Sequence, residues 1–157
     1  MKVIIVTGTP GTGKTVFAKK LAKHEGYRYV DVNDVVKEHK LSECYDRKRK
    51  TKVVDEKKLA KVLEGMIKGF KAGKDMAGKK TKEKGMVIDS HMSHFINPEY
   101  VDICIVMKCG LKTLEKRLKK KGYHKAKIEE NIQSEIFDIC YVEAVEMGHK
   151  VKVVETG

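Results

Sequence analysis

The 157-residue sequence has no apolar run near the roughly 18 residues that a bilayer-spanning helix needs, and Met1 to Val6 leads into glycines where a signal peptide would carry its apolar core. A membrane partner is not expected, and the chain reads as soluble and cytoplasmic. The low-complexity bias of disordered chains is also missing: 41% of residues are hydrophobic, enough for a sizeable core despite 36% charged residues. One domain over residues 1–157 is the expectation at this length. The four cysteines, Cys44, Cys104, Cys109 and Cys140, lack CxxC spacing and a nearby His pair, which argues against a zinc site. Cys104 sits in the apolar run Ile103 to Met107 and reads as a small buried hydrophobe. Arginine occurs only at 28, 47, 49 and 117, and side-chain amides are scarce. Lys/Glu richness with few amides is a hyperthermophile bias, although an AT-rich genome produces part of the same lysine excess.

What is abundant is lysine. With 34 Lys and Arg against 22 Asp and Glu the net charge is +12, so the partner class to expect is polyanionic: nucleotides, RNA or anionic surfaces. Val3 to Val6 is short, continuous and β-branched, the pattern of a strand covered on both faces. Phe17, Ala18, Leu21 and Ala22 then recur at helical spacing up to Gly26, a suitable residue just past a helix end. A second strand follows over Tyr27 to Val32, with Asn33 or Asp34 capping a short helix. Asp55 caps a helix whose stripe is Leu59, Val62, Leu63, Met66, Ile67 and Phe70. Residues 71–84 hold six lysines and hardly any large apolar side chain, which reads as a mobile solvated loop. Met86 to Ile88, Ile103 to Met107 and Val151 to Val154 are the remaining strands. Leu111 to Leu118 and Ile128 to about Gly148 are the remaining helices. Uniformly apolar strands alternating with helices predict an α/β fold, a five-stranded parallel sheet with helices on both faces.

Gly8 to Thr15, GTPGTGKT, fits the P-loop pattern GxxxxGK[ST] and lies between a strand and a helix. The spacing has a mechanical reason: consecutive N–H groups turn inward around a phosphate, and the helix that follows adds its N-terminal amides. Gly8, Gly11, Thr12, Gly13, Lys14 and Thr15 are therefore candidate nucleotide-binding residues. Lys14 is positioned to bridge the β- and γ-phosphates and Thr15 to ligate Mg²⁺. Asp89 closes an apolar strand, where a carboxylate can hold the Mg²⁺ water shell or simply cap a loop. His91 is either a group that orients water or phosphate, or a surface histidine. The cations of 117–127, with Arg117 and Lys121 foremost, form either a hinged lid over the γ-phosphate or a solvated helix face. Arg47 and Arg49, in the basic run 46–52, suit an acceptor phosphate or an RNA backbone equally. No aromatic interleaving supports RNA base reading.

Thr7 to Thr15, Val53 to Leu59, Asp89-Ser90-His91, and Lys121-Gly122-Tyr123 followed by Glu129-Glu130-Asn131-Ile132-Gln133-Ser134-Glu135-Ile136-Phe137 resemble the adenylate kinase isoenzyme 6 family over nearly the whole chain. The resemblance implies a three-layer P-loop NTPase fold, with an acceptor-binding segment near 31–54 that includes Asp34 and a short lid near 120–130. It further implies ATP as donor, bound by Gly11, Gly13, Lys14, Thr15 and Val16, AMP or a related monophosphate as acceptor, ATP hydrolysis, and a part in small-subunit maturation with a ribosomal protein and rRNA. Three departures stand out: Val16 where many members have threonine, Lys121 where they have a lid arginine, and a longer lysine loop at 71–84.

Overall fold

The computed structural model describes residues 1–46, 51–75 and 77–157, and over 43–46 and 51–53 the backbone alone. In chain order the elements are β1 (Lys2–Gly8), α1 (Lys14–Glu25), β2 (Arg28–Asp31), α2 (Val32–Glu38), β3 (Ser42–Asp46), β4 (Thr51–Val54) and α3 (Glu56–Lys71). They continue with β5 (Gly85–Asp89), β6 (Ile103–Cys109), α4 (Leu111–Lys120), α5 (Lys125–Ile136), α6 (Ile139–Met147) and β7 (Val151–Thr156).

Five strands form one sheet in the order β2-β5-β1-β6-β7, and every pairing in it is parallel. The continuous apolar runs follow from coverage on both faces. Val3 and Ile5 of β1 pack with Val35, Leu63, Ile67 and Ala144 from α2, α3 and α6. Ile4 and Val6, one residue out of phase, pack with Ala18 and Ala22 of α1 on the opposite face. A third cluster joins Leu114, Leu118 and Ile128 of α4 and α5 to Cys109 at the end of β6. Helix α3 shows how sequence sets an element. Asp55 accepts from the Lys57 and Lys58 amides, and Leu59, Leu63, Ile67 and Phe70 are at most 3% exposed. Each such side chain contributes about 1.5–3 kcal/mol on burial. Gly26 closes α1 at φ 68, its N–H returned to the Ala22 carbonyl.

Four sequence expectations are corrected here. The cap of α2 is Asp31, whose carboxylate accepts from the Asn33 amide at 2.9 Å; Asn33 and Asp34 already lie inside the helix. The predicted helix 128–148 is two helices, broken where Asp138 takes φ 51. Aspartate tolerates that region better than most residues, and the Asp138 carboxylate is paired there with Lys108. The segment 31–54 contains an antiparallel pair, β3 with β4, that the charge run concealed. Finally, the described residues of the 71–84 loop carry some order: Lys74 and Lys80 form an antiparallel bridge, and the Asp75 carboxylate accepts from the amides of Ala77 and Lys79.

Cys104, Cys109 and Cys140 are free and buried. Burial pushes the Cys104 thiol up to about 12 and the Cys140 thiol up to about 11, so both are inert packing groups at neutral pH. Among the described residues no helix is long and apolar enough to cross a membrane.

Candidate nucleotide-binding site

The end of β1 and the start of α1 are joined by a turn that demands glycine. Gly8 has φ 144 and Gly11 φ 94; a Cβ at Gly8 would lie 2.6 Å from the Met107 carbonyl oxygen, and one at Gly11 2.9 Å from Leu114 Cδ1. The loop carbonyls are braced from behind. Thr12 Oγ1 donates to the Thr9 carbonyl at 2.7 Å, Arg117 Nη1 to the Gly11 carbonyl at 3.2 Å, and Thr156 Oγ1 to the Thr12 carbonyl at 2.7 Å. The amides of the first turn of α1 have no partner within the helix, which suits an anion.

In front of the loop is a cavity of about 720 Å³. Gly11, Gly13, Lys14, Thr15 and Val16 line it from the loop and the start of α1, together with Arg117, Lys121 and Thr156. Gly8 and Thr12 do not line it; they shape the loop from within, Thr12 being fully buried. Crowding by surrounding protein lowers the Lys14 ammonium to about 8, with Asp89 pulling the other way. Its Nζ donates to the Thr9 carbonyl at 3.3 Å, which holds the amine beside the loop.

Asp89 is 5% exposed and lies in register with Val6, at the same edge of the sheet as the loop. Its Oδ2 accepts from Thr15 Oγ1 at 2.8 Å and from the Tyr29 hydroxyl at 2.7 Å. Burial, and then that bond, raises the Tyr29 phenol above its usual range, so it stays a donor. A hydroxyl and a carboxylate in contact are hard oxygen donors of the kind that suit magnesium together with phosphate oxygens and water. His91 is exposed, two residues past the end of β5. Desolvation there, then the charges of Lys14, His94 and Lys127, lower it to about 4, so it is a neutral imidazole at pH 7.

Arg117 faces the cavity with its guanidinium already engaged, to the Gly11 carbonyl and to Thr156 Oγ1 at 3.1 Å. It is a brace of the loop more than a loose cation. Lys121, the C-terminal cap of α4, lines the cavity at the turn between α4 and α5. Asp34 is exposed on the first turn of α2 and does not line the cavity. Arg47 and Arg49 lie outside the described residues.

The sequence reading missed three contributors. Tyr29 was read only as strand, since its bond to Asp89 spans 60 positions. Glu135, 6% exposed, accepts from the Cys109 amide at 3.0 Å, from Lys108 Nζ at 3.3 Å and from Thr9 Oγ1 at 3.4 Å, tying α5 to the loop. His94, 1% exposed, joins Thr7 Oγ1 at 2.7 Å to Glu143 at 3.0 Å, fixing the end of β1 against α6. A buried carboxylate and a buried histidine are unusual without partners, but the partners are distant in sequence.

A family model described as an AAA domain matches residues 4–138. The adenylate kinase isoenzyme 6 homolog of Schizosaccharomyces pombe is 37% identical over 153 residues, covering 97% of this chain and 79% of that protein. The chain belongs to the adenylate kinase isoenzyme 6 family. The isoenzyme 6 homolog FAP7 of Saccharomyces cerevisiae is 34% identical over 153 residues, covering 97% of this chain and 71% of its own length. The fold also resembles shikimate kinase from Acinetobacter baumannii in complex with shikimate, with a TM-score of 0.61 at 12% identity. That alignment covers 100% of this chain and 86% of the shikimate kinase. The P-loop kinase fold of this isoenzyme 6 family member is therefore the one its sequence predicts.

Proposed function

We propose that this isoenzyme 6 family member is a nucleoside monophosphate kinase that converts ATP and AMP to two ADP by in-line phosphoryl transfer. The observation that carries the reading is the Thr15–Asp89 contact at 2.8 Å beside the Gly8–Thr15 cradle and its cavity of about 720 Å³. Loop amides and Lys14 hold the β- and γ-phosphates, and their fixed geometry costs no reorganisation as charge redistributes. Thr15 directly, and Asp89 through water, would hold Mg²⁺, whose bound charge offsets that of the phosphates. Lys121 covers the transferring group as the α4–α5 turn closes, and Arg117 keeps the loop carbonyls turned away. Asp34, Arg47 and Arg49, in the segment 31–54, border the acceptor. With no acceptor bound, a water held by the neutral His91 takes its place and gives a slow ATPase.

The charge of +12 exceeds what one nucleotide pair needs and supports a second reading. In it, hydrolysis switches the grip of an assembly factor on a small-subunit ribosomal protein or rRNA, in the cytoplasm. ADP production measured with and without AMP, and then across a panel of monophosphates, separates the two. AMP stimulation of at least tenfold is expected; AMP-independent turnover overturns the kinase reading in favour of the switch.

A further inference from the structure

Residues 71–75 and 77–84 of the lysine-rich segment lie at the far end of the sheet from the cavity. Its last residue precedes Gly85, which pairs with Lys2 at the start of β1, whereas the nucleotide loop and Asp89 are at the other end, about 13 Å along the strand. Its two acids are both turned inward onto one cation. Arg28 donates to both Glu83 oxygens at 3.2 Å and lies 3.8 Å from the Asp75 carboxylate, with its guanidinium 5.6 Å over the Phe70 ring. The lysines go the other way. Lys71, Lys74, Lys79, Lys80, Lys82 and Lys84 are all exposed, and no salt bridge involves any of them among the described residues. Exposure alternates along the strand-like stretch: Lys80, Lys82 and Lys84 stand out while Thr81 and Glu83 turn in.

We propose that this platform is a second anion site, separate from the nucleotide cavity, which docks the phosphodiester backbone of a nucleic acid. Three features select that occupant. The acids that would neutralise the surface are sequestered by Arg28, so its charge is uncompensated. The alternating amines recur every two residues, about 7 Å apart, comparable to successive phosphates along one strand. The residues between the lysines at 77–84 are Ala, Gly, Thr and Glu, which offer neither an apolar anchor for a bilayer nor an aromatic ring for base stacking. Recognition is then sequence-independent and strongly salt-dependent. The Lys74–Lys80 bridge and the Asp75 turn order the backbone that carries the lysines, which reduces the ordering cost of binding. The inference does not rest on the kinase reading and is tested without turnover.

The probe is a fluorescent RNA duplex of about 20 base pairs and arbitrary sequence, titrated by anisotropy over a range of salt, with a DNA duplex and phosphatidylserine vesicles as comparison arms. The triple substitution Lys79→Gln, Lys80→Gln, Lys82→Gln is expected to weaken both duplexes on the order of 100-fold at about 0.1 M salt and to flatten the log–log salt slope by about 2.7. Melting temperature and ADP production should be unchanged, and saturating ATP should not displace the duplex. A control triple on α4 and α5, Lys112→Gln, Lys116→Gln, Lys125→Gln, should leave most of the affinity. Equal loss in both triples, an unchanged slope, or vesicle binding stronger than duplex binding overturns the proposal. Acetylation footprinting of the wild-type protein removes any dependence on variant folding: the duplex should protect Lys80, Lys82 and Lys84 and spare Lys112, and uniform labelling refutes the site.

Discussion

Gly11→Ala is expected to damage the cradle in a way that Gly13→Ala does not, and the structure gives the difference. Both glycines have positive φ, 94 and 90, so each alanine incurs the left-handed backbone cost of about 1–2 kcal/mol. At Gly13 the new Cβ would meet nothing nearer than 3.6 Å, whereas at Gly11 it would meet Leu114 Cδ1 at 2.9 Å and Leu118 Cδ2 at 3.0 Å. Both leucines are fully buried and have nowhere to move, which adds about 1–3 kcal/mol of overpacking. The totals are about 2–5 kcal/mol against 1–2, and at about 2–4 °C per kcal/mol for a chain of this size the loss at Gly11 should exceed that at Gly13 by about 2–12 °C. Calorimetric melting without nucleotide measures this. Isothermal titration with ATP should show the larger affinity loss in the same variant. Adding Leu114→Ala supplies an internal control: alone it costs about 2–5 kcal/mol, but in the Gly11→Ala background it should cost less, because it relieves the clash. Equal effects at the two glycines, with strict additivity of Leu114→Ala, would refute the packing argument.

Lys14 is held to about 8 in the folded protein and titrates near 10.4 when unfolded. Between those values the unfolded chain binds the extra proton, so this group makes stability rise with pH. Lys14→Met should therefore melt above wild type at pH 7 without nucleotide, with the gap closing toward pH 10.5 and ATP binding lost throughout; a gap that does not vary with pH contradicts the assignment. Glu135→Ala strands the Cys109 amide and removes one of the two carboxylates on Lys108, which keeps Asp138, and should lower stability by about 2 kcal/mol in urea unfolding. Glu135→Gln, which keeps an acceptor, should lose less than half of that, and an alanine variant within about 0.5 kcal/mol of wild type would remove Glu135 from the bracing of the loop.

What could be read in advance was what is local. The strand, glycine turn and helix of residues 3–25 are encoded within a short window, and so is the Asp55 cap with its stripe. The break at Asp138 was hidden because Ile128, Ile132, Ile136 and Ile139 keep helical spacing straight across it; only the left-handed φ of one residue, set by its surroundings, ends the helix. At the site, the meeting of Thr15 with Asp89 was legible, the first from the loop pattern and the second from its place at a strand end. Tyr29, Glu135 and His94 were not, because each acquires its role from a partner 60, 126 or 87 positions away. Arg117 read as a lid cation or part of a solvated helix face, but its hydrogen bonds to loop and final strand make it a brace, a distinction that only the fold reveals.

The sheet's wiring also governs how the chain is made. Its central strand precedes both of its partners in the chain and has no neighbour until Gly85–Asp89 and Ile103–Cys109 have been added. At about 5–20 residues per second that is a wait on the order of 5–20 s. Throughout it Val3–Val6 is an orphaned sticky segment, and the phosphate cradle that follows has no floor. Folding here is therefore a late, concerted closure, and the interval before it is when a nascent copy is most exposed to aggregation.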